Sequence, residues 1–110
     1  MSEHEARVGL NEAVFREVNE RIEDLAERFN LQDRPLDLVC ECGDENCTER
    51  ISMTLAEYEE LRKDSKQFAV YPGHEFHHVE EVVAHCRGYD VVRKQEGEAA
   101  KLAEASDPRG

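Results

Sequence analysis

Three of the chain's four cysteines stand within eight residues, in the run Cys40-Glu41-Cys42-Gly43-Asp44-Glu45-Asn46-Cys47. Two thiols lie two residues apart and a third returns after a turn, so the fold must bring three sulfur atoms close together. Gly43, directly after the second thiol, has access to the positive φ that a sharp reversal needs, and Asp44 to Asn46 favour turns. A tetrahedral zinc ion asks for such a backbone: four donors, sulfur at about 2.3 Å, and a chain folded closely round the ion. Backbone amides in the same turn can donate to the thiolates and stabilise their charge. Asp44, Glu45 and Glu49 offer too few oxygens, too irregularly spaced, for calcium. An iron–sulfur cluster suits a single Cys-x-Cys-x₄-Cys run with a histidine less well than zinc does.

Three cysteines leave one ligand to find, and the candidates are His74, His77, His78, His85 and Cys86. His74 is favoured because it follows Pro72-Gly73 in a turn at the end of an expected strand, where a rigid backbone can hold it beside the knuckle. Cys86 falls among valines on the apolar side of its segment, the usual place of a core cysteine. His77 and His78 read as solvent-facing, and His85 has no evident partner. His74-Glu75-Phe76-His77-His78 also spells His-Glu-x-x-His, the zinc-protease signature. That chemistry needs both histidines one turn apart inside a helix, an open coordination position and a cleft. Pro72-Gly73 places His74 at a helix start at best, so the match reads as coincidental and no catalytic residue is assigned.

The rest of the composition narrows the setting. The 110 residues are 39% apolar and 36% charged, with no Trp, which describes one domain with a thin core of the kind a metal staple supports. A net charge of −12 disfavours nucleic acid and anionic membrane surfaces and favours a basic protein surface or plain solubility. Met1-Ser2-Glu3-His4-Glu5 lacks the basic and apolar regions of a signal peptide, and no apolar run reaches the length of a membrane span. A cytoplasmic setting follows, where reduced thiols serve metal rather than disulfides.

Along the chain, residues 1–10 read as a polar, frayed N-terminus. From Asn11, a candidate N-cap with Leu10 and Phe15 at staple positions, a helix runs to about Asn30. Phe15, Val18, Ile22, Leu25 and Phe29 form a heptad seam along it, read first as the face the helix packs on the domain's own core and, more sharply, as a docking or dimer seam. Strands are expected at Leu36 to Glu41, around Arg50 to Met53, at Gln67 to Tyr71 and at Tyr89 to Arg93. Thr54 and Glu57 spell a capping box for a second helix, with Met53 and Tyr58 as its staple. A short helix is expected from about Glu75 to Arg87, closed by Gly88 as C-cap. Residues 11–96 thus form a single zinc-binding domain, and 97–110 an Ala- and Glu-rich, weakly helical tail.

The cysteine run resembles the post-SET zinc motif of lysine methyltransferases, which shares Cys-x-Cys-Gly-x-x-x-Cys and borrows its fourth ligand from elsewhere. That likeness covers eight residues and implies only a metal-binding geometry. More broadly, the chain resembles a family of small, uncharacterised actinobacterial proteins. The likeness is carried by Phe15 to Ile22, Cys40-Glu41-Cys42-Gly43 to Cys47, Thr54 to Glu59, Pro72-Gly73-His74-Glu75, Tyr89 to Val92 and Asp107-Pro108-Arg109. It implies that His74 belongs to the family pattern while His77, His78 and Cys86 are peculiar to this sequence, and it supplies no activity.

The sequence therefore reads as an α+β domain: a long N-terminal helix and a small, mainly antiparallel sheet with short helices. One structural zinc ion, held by Cys40, Cys42, Cys47 and His74, staples it. The expected role is a protein-interaction or regulatory adaptor that meets a protein partner, or a second copy, through the Phe15–Phe29 helix face. A zinc-linked thiol redox sensor and a metallohydrolase using Glu75 as base are the alternatives.

Overall fold

The computed structural model describes residues 3–30, 33–76 and 78–109. In chain order they form α1 (Glu3–Arg28), β1 (Leu36–Val39), β2 (Arg50–Met53), α2 (Leu55–Arg62), β3 (Gln67–Val70), β4 (Glu80–Cys86), β5 (Tyr89–Lys94) and α3 (Glu98–Ala105). This is the expected α+β architecture, with its strands divided between two antiparallel sheets: a β1-β2 ribbon and a β3-β5-β4 sheet with β5 in the middle. Glu41 couples the two. Its N–H donates to the Ala69 carbonyl at 2.9 Å, and its carboxylate accepts the Ala69 N–H at 3.0 Å.

Local signals fix several elements. The Thr54 hydroxyl accepts the Glu57 N–H at 3.1 Å and the Glu57 carboxylate accepts the Thr54 N–H at 2.8 Å, a complete capping box at the start of α2. Met53 and Tyr58, its staple, are both buried among Leu36, Leu38, Ile51 and Leu61. α1 stops where Asn30 takes φ 57°, a left-handed residue beyond the last turn.

The expected helix from Glu75 to Arg87 is instead a strand. β4 pairs with β5 from Glu80↔Lys94 to Cys86↔Tyr89, and Gly88, read as a helix cap, is the left-handed residue of the hairpin turn at φ 88°. The apolar positions Val79, Val82, Val83 and Cys86 fit a helix and a bulged strand alike. Pairing against the β-branched Val91 and Val92 of the central strand decides between them.

The N-terminus also differs. α1 begins at Glu3, not at Asn11, so residues 3–10 are helical where a frayed segment was expected; Met1 and Ser2 lie outside the described residues. Asn11 is inside the helix, and its side-chain amide donates to the Gly43 carbonyl at 2.9 Å rather than capping a first turn. Gly9 lets α3 approach, because a Cβ there would collide with Leu102 Cδ2. α3 in turn buries Ala100 and Ala103.

The largest departure is the face that α1 turns inward. Its buried residues are Val8, Glu12, Arg16, Asn19, Glu23 and Ala26, a ridge that is mostly polar. Each polar member docks on a different element. The Glu12 carboxylate meets Lys94 Nζ at 2.6 Å, and Lys94 also meets Glu80 at 2.5 Å. Burial pushes the Glu12 carboxyl up to about 8, so two carboxyl groups and one ammonium share a single net charge balance. Arg16, 1% exposed, donates to the carbonyls of Ser65 (2.6 Å) and Ala103 (2.8 Å) and to Ser106 Oγ (3.0 Å), over the ring of Phe68. Buried polar groups are tolerable when paired in this way. With the polar ridge inside, the expected apolar seam faces sideways and outward: Phe15 and Ile22 are half-buried, and Val18, Leu25 and Phe29 are exposed.

Candidate metal centre

The site sits where the ladder of β1 ends. Beyond Val39 the Cys40 N–H donates to the Glu49 carbonyl at 3.2 Å, which keeps the two ends of the loop together. Inside the loop the Cys47 N–H donates to the Asp44 carbonyl (3.0 Å), and the Asn46 N–H donates to Asp44 Oδ1 (2.9 Å) in an Asx turn. Gly43 takes φ 81° and lies hard against α1. A Cβ at that position would stand 2.7 Å from the Val8 carbonyl oxygen and 2.8 Å from Glu12 Cγ, so α1 admits only glycine here.

His74 arrives from the other sheet. After β3, Tyr71-Pro72-Gly73-His74 closes a turn in which the His74 N–H donates to the Tyr71 carbonyl at 2.9 Å and Gly73 takes φ 89°. Pro at the second position and a left-handed Gly at the third are what a type II turn requires. The turn sets His74 Nδ1 3.7 Å from Cys40 Sγ and 3.6 Å from Cys47 Sγ. With Cys42 added, one donor atom from each of the four residues lies within 4.8 Å of all the others.

These separations fit a tetrahedral ion. Zinc at about 2.3 Å from sulfur and about 2.0–2.1 Å from nitrogen sets sulfur and nitrogen roughly 3.6 Å apart at tetrahedral angles. The sulfurs are also supplied with amide donors. The Tyr71 N–H donates to Cys40 Sγ at 3.1 Å, and the backbone amides of Asp44 and Glu49 serve Cys42 and Cys47. Left to themselves the three thiols do not ionise together. The hydrogen bond with Cys40 holds Cys42 down at about 5, while that same bond and burial push Cys40 up, and burial pushes Cys47 up. A divalent cation removes that conflict by opposing all three thiolate charges at once. The Cys₃His cluster is thus close enough, and of the right chemistry, to coordinate a single structural zinc ion.

Compared with family models, with curated proteins and with solved structures, the chain matches none. The reading of the site therefore rests on its own geometry.

Among the described residues, the other candidate ligands stand apart from the cluster. His78 is exposed, its ring edge-on to Phe76 at 5.4 Å. His77 lies outside the described residues. His85, for which the sequence offered no partner, holds its Nδ1 3.0 Å from Asp90 Oδ1 across the β4-β5 hairpin. Cys86 is half-buried against the β1-β2 core, on a strand rather than a helix. His74, Glu75 and His78 lie in the turn and coil ahead of β4, so the one-turn helical spacing of a zinc protease is absent.

What the sequence did not reveal is the support around the ligands. Val8, Asn11 and Glu12 press on the knuckle from more than thirty residues upstream, and no spacing rule marks them. Tyr71 as an amide donor was foreshadowed only by its place before Pro72-Gly73. The site also borders a cavity of about 470 Å³ between α1 and the knuckle, lined by His4, Arg7, Cys42, His74, Glu75 and Phe76 among others. A second carboxylate group, Glu23, Glu27 and Glu59, already faces a cation of the chain: Arg109 reaches Glu59 at 2.7 Å and Glu23 at 3.1 Å. Among the described residues, no helix is long and apolar enough to cross a membrane.

Proposed function

We propose that this chain is a protein-interaction or regulatory module, stapled by one structural zinc ion on Cys40, Cys42, Cys47 and His74, that works in the cytoplasm. The observation that carries this reading is the meeting of the four donors, with sulfur–nitrogen separations of 3.6 and 3.7 Å. Four protein ligands close the coordination shell, which is the pattern of structural rather than catalytic zinc. The ion would join the end of β1 to the turn after β3, adding to the Glu41–Ala69 hydrogen bonds and the shared apolar core that already link the two sheets. Membership of the small actinobacterial family belongs to the same proposal. It is supported by the role the geometry gives to Pro72-Gly73-His74.

A second reading is favoured by one observation: Cys42 and His74 line the 470 Å³ cavity, so a peroxide-type oxidant could reach the cluster. Oxidation of two thiolates to a disulfide would release the ion and loosen the knuckle. The metallohydrolase reading has less support, because His78 stands away from the cluster and no coordination position is left for water.

The test is metal content by elemental analysis of protein purified without added metal. One zinc per chain is expected, lost in His74→Ala and Cys47→Ser and kept in His78→Ala and Cys86→Ser. A metal-free, fully folded wild type, or zinc lost equally in His78→Ala, would overturn the assignment.

A further inference from the structure

The N-terminal turns of α1 stand over the knuckle and leave a cleft of about 470 Å³ between them, within the size range of ligand pockets. Cys42, Gly43 and His74 line it, so it opens directly beside the metal centre. Its charges do not balance. Three carboxylates face it, Asp44, Glu45 and Glu75, against one permanent cation, Arg7. Asp44 uses Oδ1 on the Asn46 N–H inside its own turn. Among the described residues, the carboxylates of Glu45 and Glu75 have no ion-pair or hydrogen-bond partner, although Glu75 is half-buried. Arg7 turns along its own helix to Glu3, 3.9 Å away. Nor would zinc balance the cleft, because three thiolates outweigh a divalent ion and leave the centre anionic.

A half-buried carboxylate without a counter-charge is unfavourable, and what relieves it is a cation. Two observations say which kind. Among the described residues, Asp44, Glu45 and Glu75 do not converge into a group tight enough to hold a metal ion, so the charge must come on something larger. Val8 and Phe76 add apolar surface to the cleft, which suits an aliphatic stem carrying that charge. We propose, building on the reading of the domain as a protein-interaction module, that this cleft receives a lysine or arginine side chain from a basic segment of a partner protein. The ammonium or guanidinium sits among Glu75, Glu45 and Asp44, and the stem lies along Phe76 and Val8. The chain's net charge of −12 draws such a segment toward it from a distance.

The test titrates acetyl-Gly-Arg-Gly-amide, its lysine and glutamine counterparts, and spermidine into the zinc-loaded full chain, with backbone amide chemical shifts as the readout. The arginine or lysine peptide should shift the amides of Gly43, Asn46 and Phe76 saturably, and the glutamine peptide should not. Added salt should weaken the binding by screening the charges. Glu75→Gln should weaken it at least about 5-fold with circular dichroism unchanged. Arg7→Ala, which removes the cleft's own cation, should strengthen it, and Glu81→Gln on β4 should leave it unchanged.

No saturable shift around the cleft with either cationic peptide overturns the proposal. Equal weakening by Glu75→Gln and Glu81→Gln also overturns it, since the peptide would then sense only the overall negative charge. Spermidine bound more tightly than either peptide overturns the protein partner in favour of a free polyamine. Zinc content of the same samples separates the two readings. A zinc-bearing protein that ignores the peptides overturns the cleft and leaves the stapled module, whereas a zinc-free, folded protein that binds them supports the cleft and overturns the metal assignment.

Discussion

Asn19 on α1 behaves toward Val39 as a neighbouring strand would. Its side-chain amide donates to the Val39 carbonyl at 2.9 Å, and its side-chain oxygen accepts the Val39 N–H at the same distance. The same amide nitrogen reaches Glu41 Oε2 at 2.7 Å, and Glu41 in turn holds Arg62 at 2.6 Å. One fully buried asparagine therefore satisfies the open edge of β1 immediately before the first zinc-site cysteine.

Replacing Asn19 by Leu should show how much that pairing contributes. The new side chain is of similar size but leaves the Val39 N–H and carbonyl buried without partners, at about 1–3 kcal/mol each if no water enters. A loss of roughly 2–4 kcal/mol in urea unfolding is expected, with the zinc affinity lowered as the end of β1 loosens. A variant as stable as wild type would mean that α1 does not set the edge of β1.

Two glycines of similar backbone conformation should respond very differently to alanine. Gly73 takes φ 89° with open space around it, so Gly73→Ala meets only the left-handed penalty of about 1–2 kcal/mol. Gly43 takes φ 81° with the Val8 carbonyl 2.7 Å from the would-be Cβ, and relief requires moving α1 or the knuckle. Gly43→Ala should therefore be the more destabilising by at least about 2 kcal/mol and should weaken zinc binding, read by chelator competition. Equal effects of the two substitutions would show that the helix can withdraw from the knuckle freely.

The Glu23 carboxyl gives the fold a pH dependence of known sign. Burial, and then the hydrogen bond with Glu59, raise it from an ordinary 4.5 to about 8, with Arg109 opposing. Arg109 is shared among Glu20, Glu23 and Glu59, so one guanidinium does not balance all three carboxylates. The folded protein therefore keeps a proton that the unfolded chain releases. The contribution is full below about pH 4.5 and is lost as pH rises through about 8. Between pH 5 and 8.5 the stability of wild type should fall relative to Glu23→Gln, by on the order of 1–2 kcal/mol. Glu12, also raised to about 8 by burial, adds a slope of the same sign in both proteins. The difference between the two urea-midpoint profiles is thus the measurement, and a flat difference would refute the protonated Glu23.

The Cys40–Cys47 run, the Pro72-Gly73 turn before His74 and the Thr54/Glu57 capping box are written in contiguous residues, because turns and caps obey short-range rules of φ and hydrogen bonding. Those rules sufficed for the zinc-site geometry, for α2 and for the β2 strand. They did not suffice where one pattern serves two structures. Val79, Val82, Val83 and Cys86 suit a helix or a bulged strand, and only the neighbouring β5 makes the strand the lower in free energy. Nor could periodicity orient α1. Five apolar residues in heptad register argue for an inward seam when each side chain is judged by its own transfer free energy. The structure turns Glu12, Arg16, Asn19 and Glu23 inward because Lys94, the Ser65 and Ala103 carbonyls, Val39 and Arg109 wait there to pair with them. Partners drawn from distant parts of the chain cannot be read from local spacing. Local rules reached the metal knuckle, α2 and the strands β1, β2, β3 and β5; the strand β4 and the choice of which side of the long helix is core came from tertiary contacts, since burial of a polar group is set by what meets it.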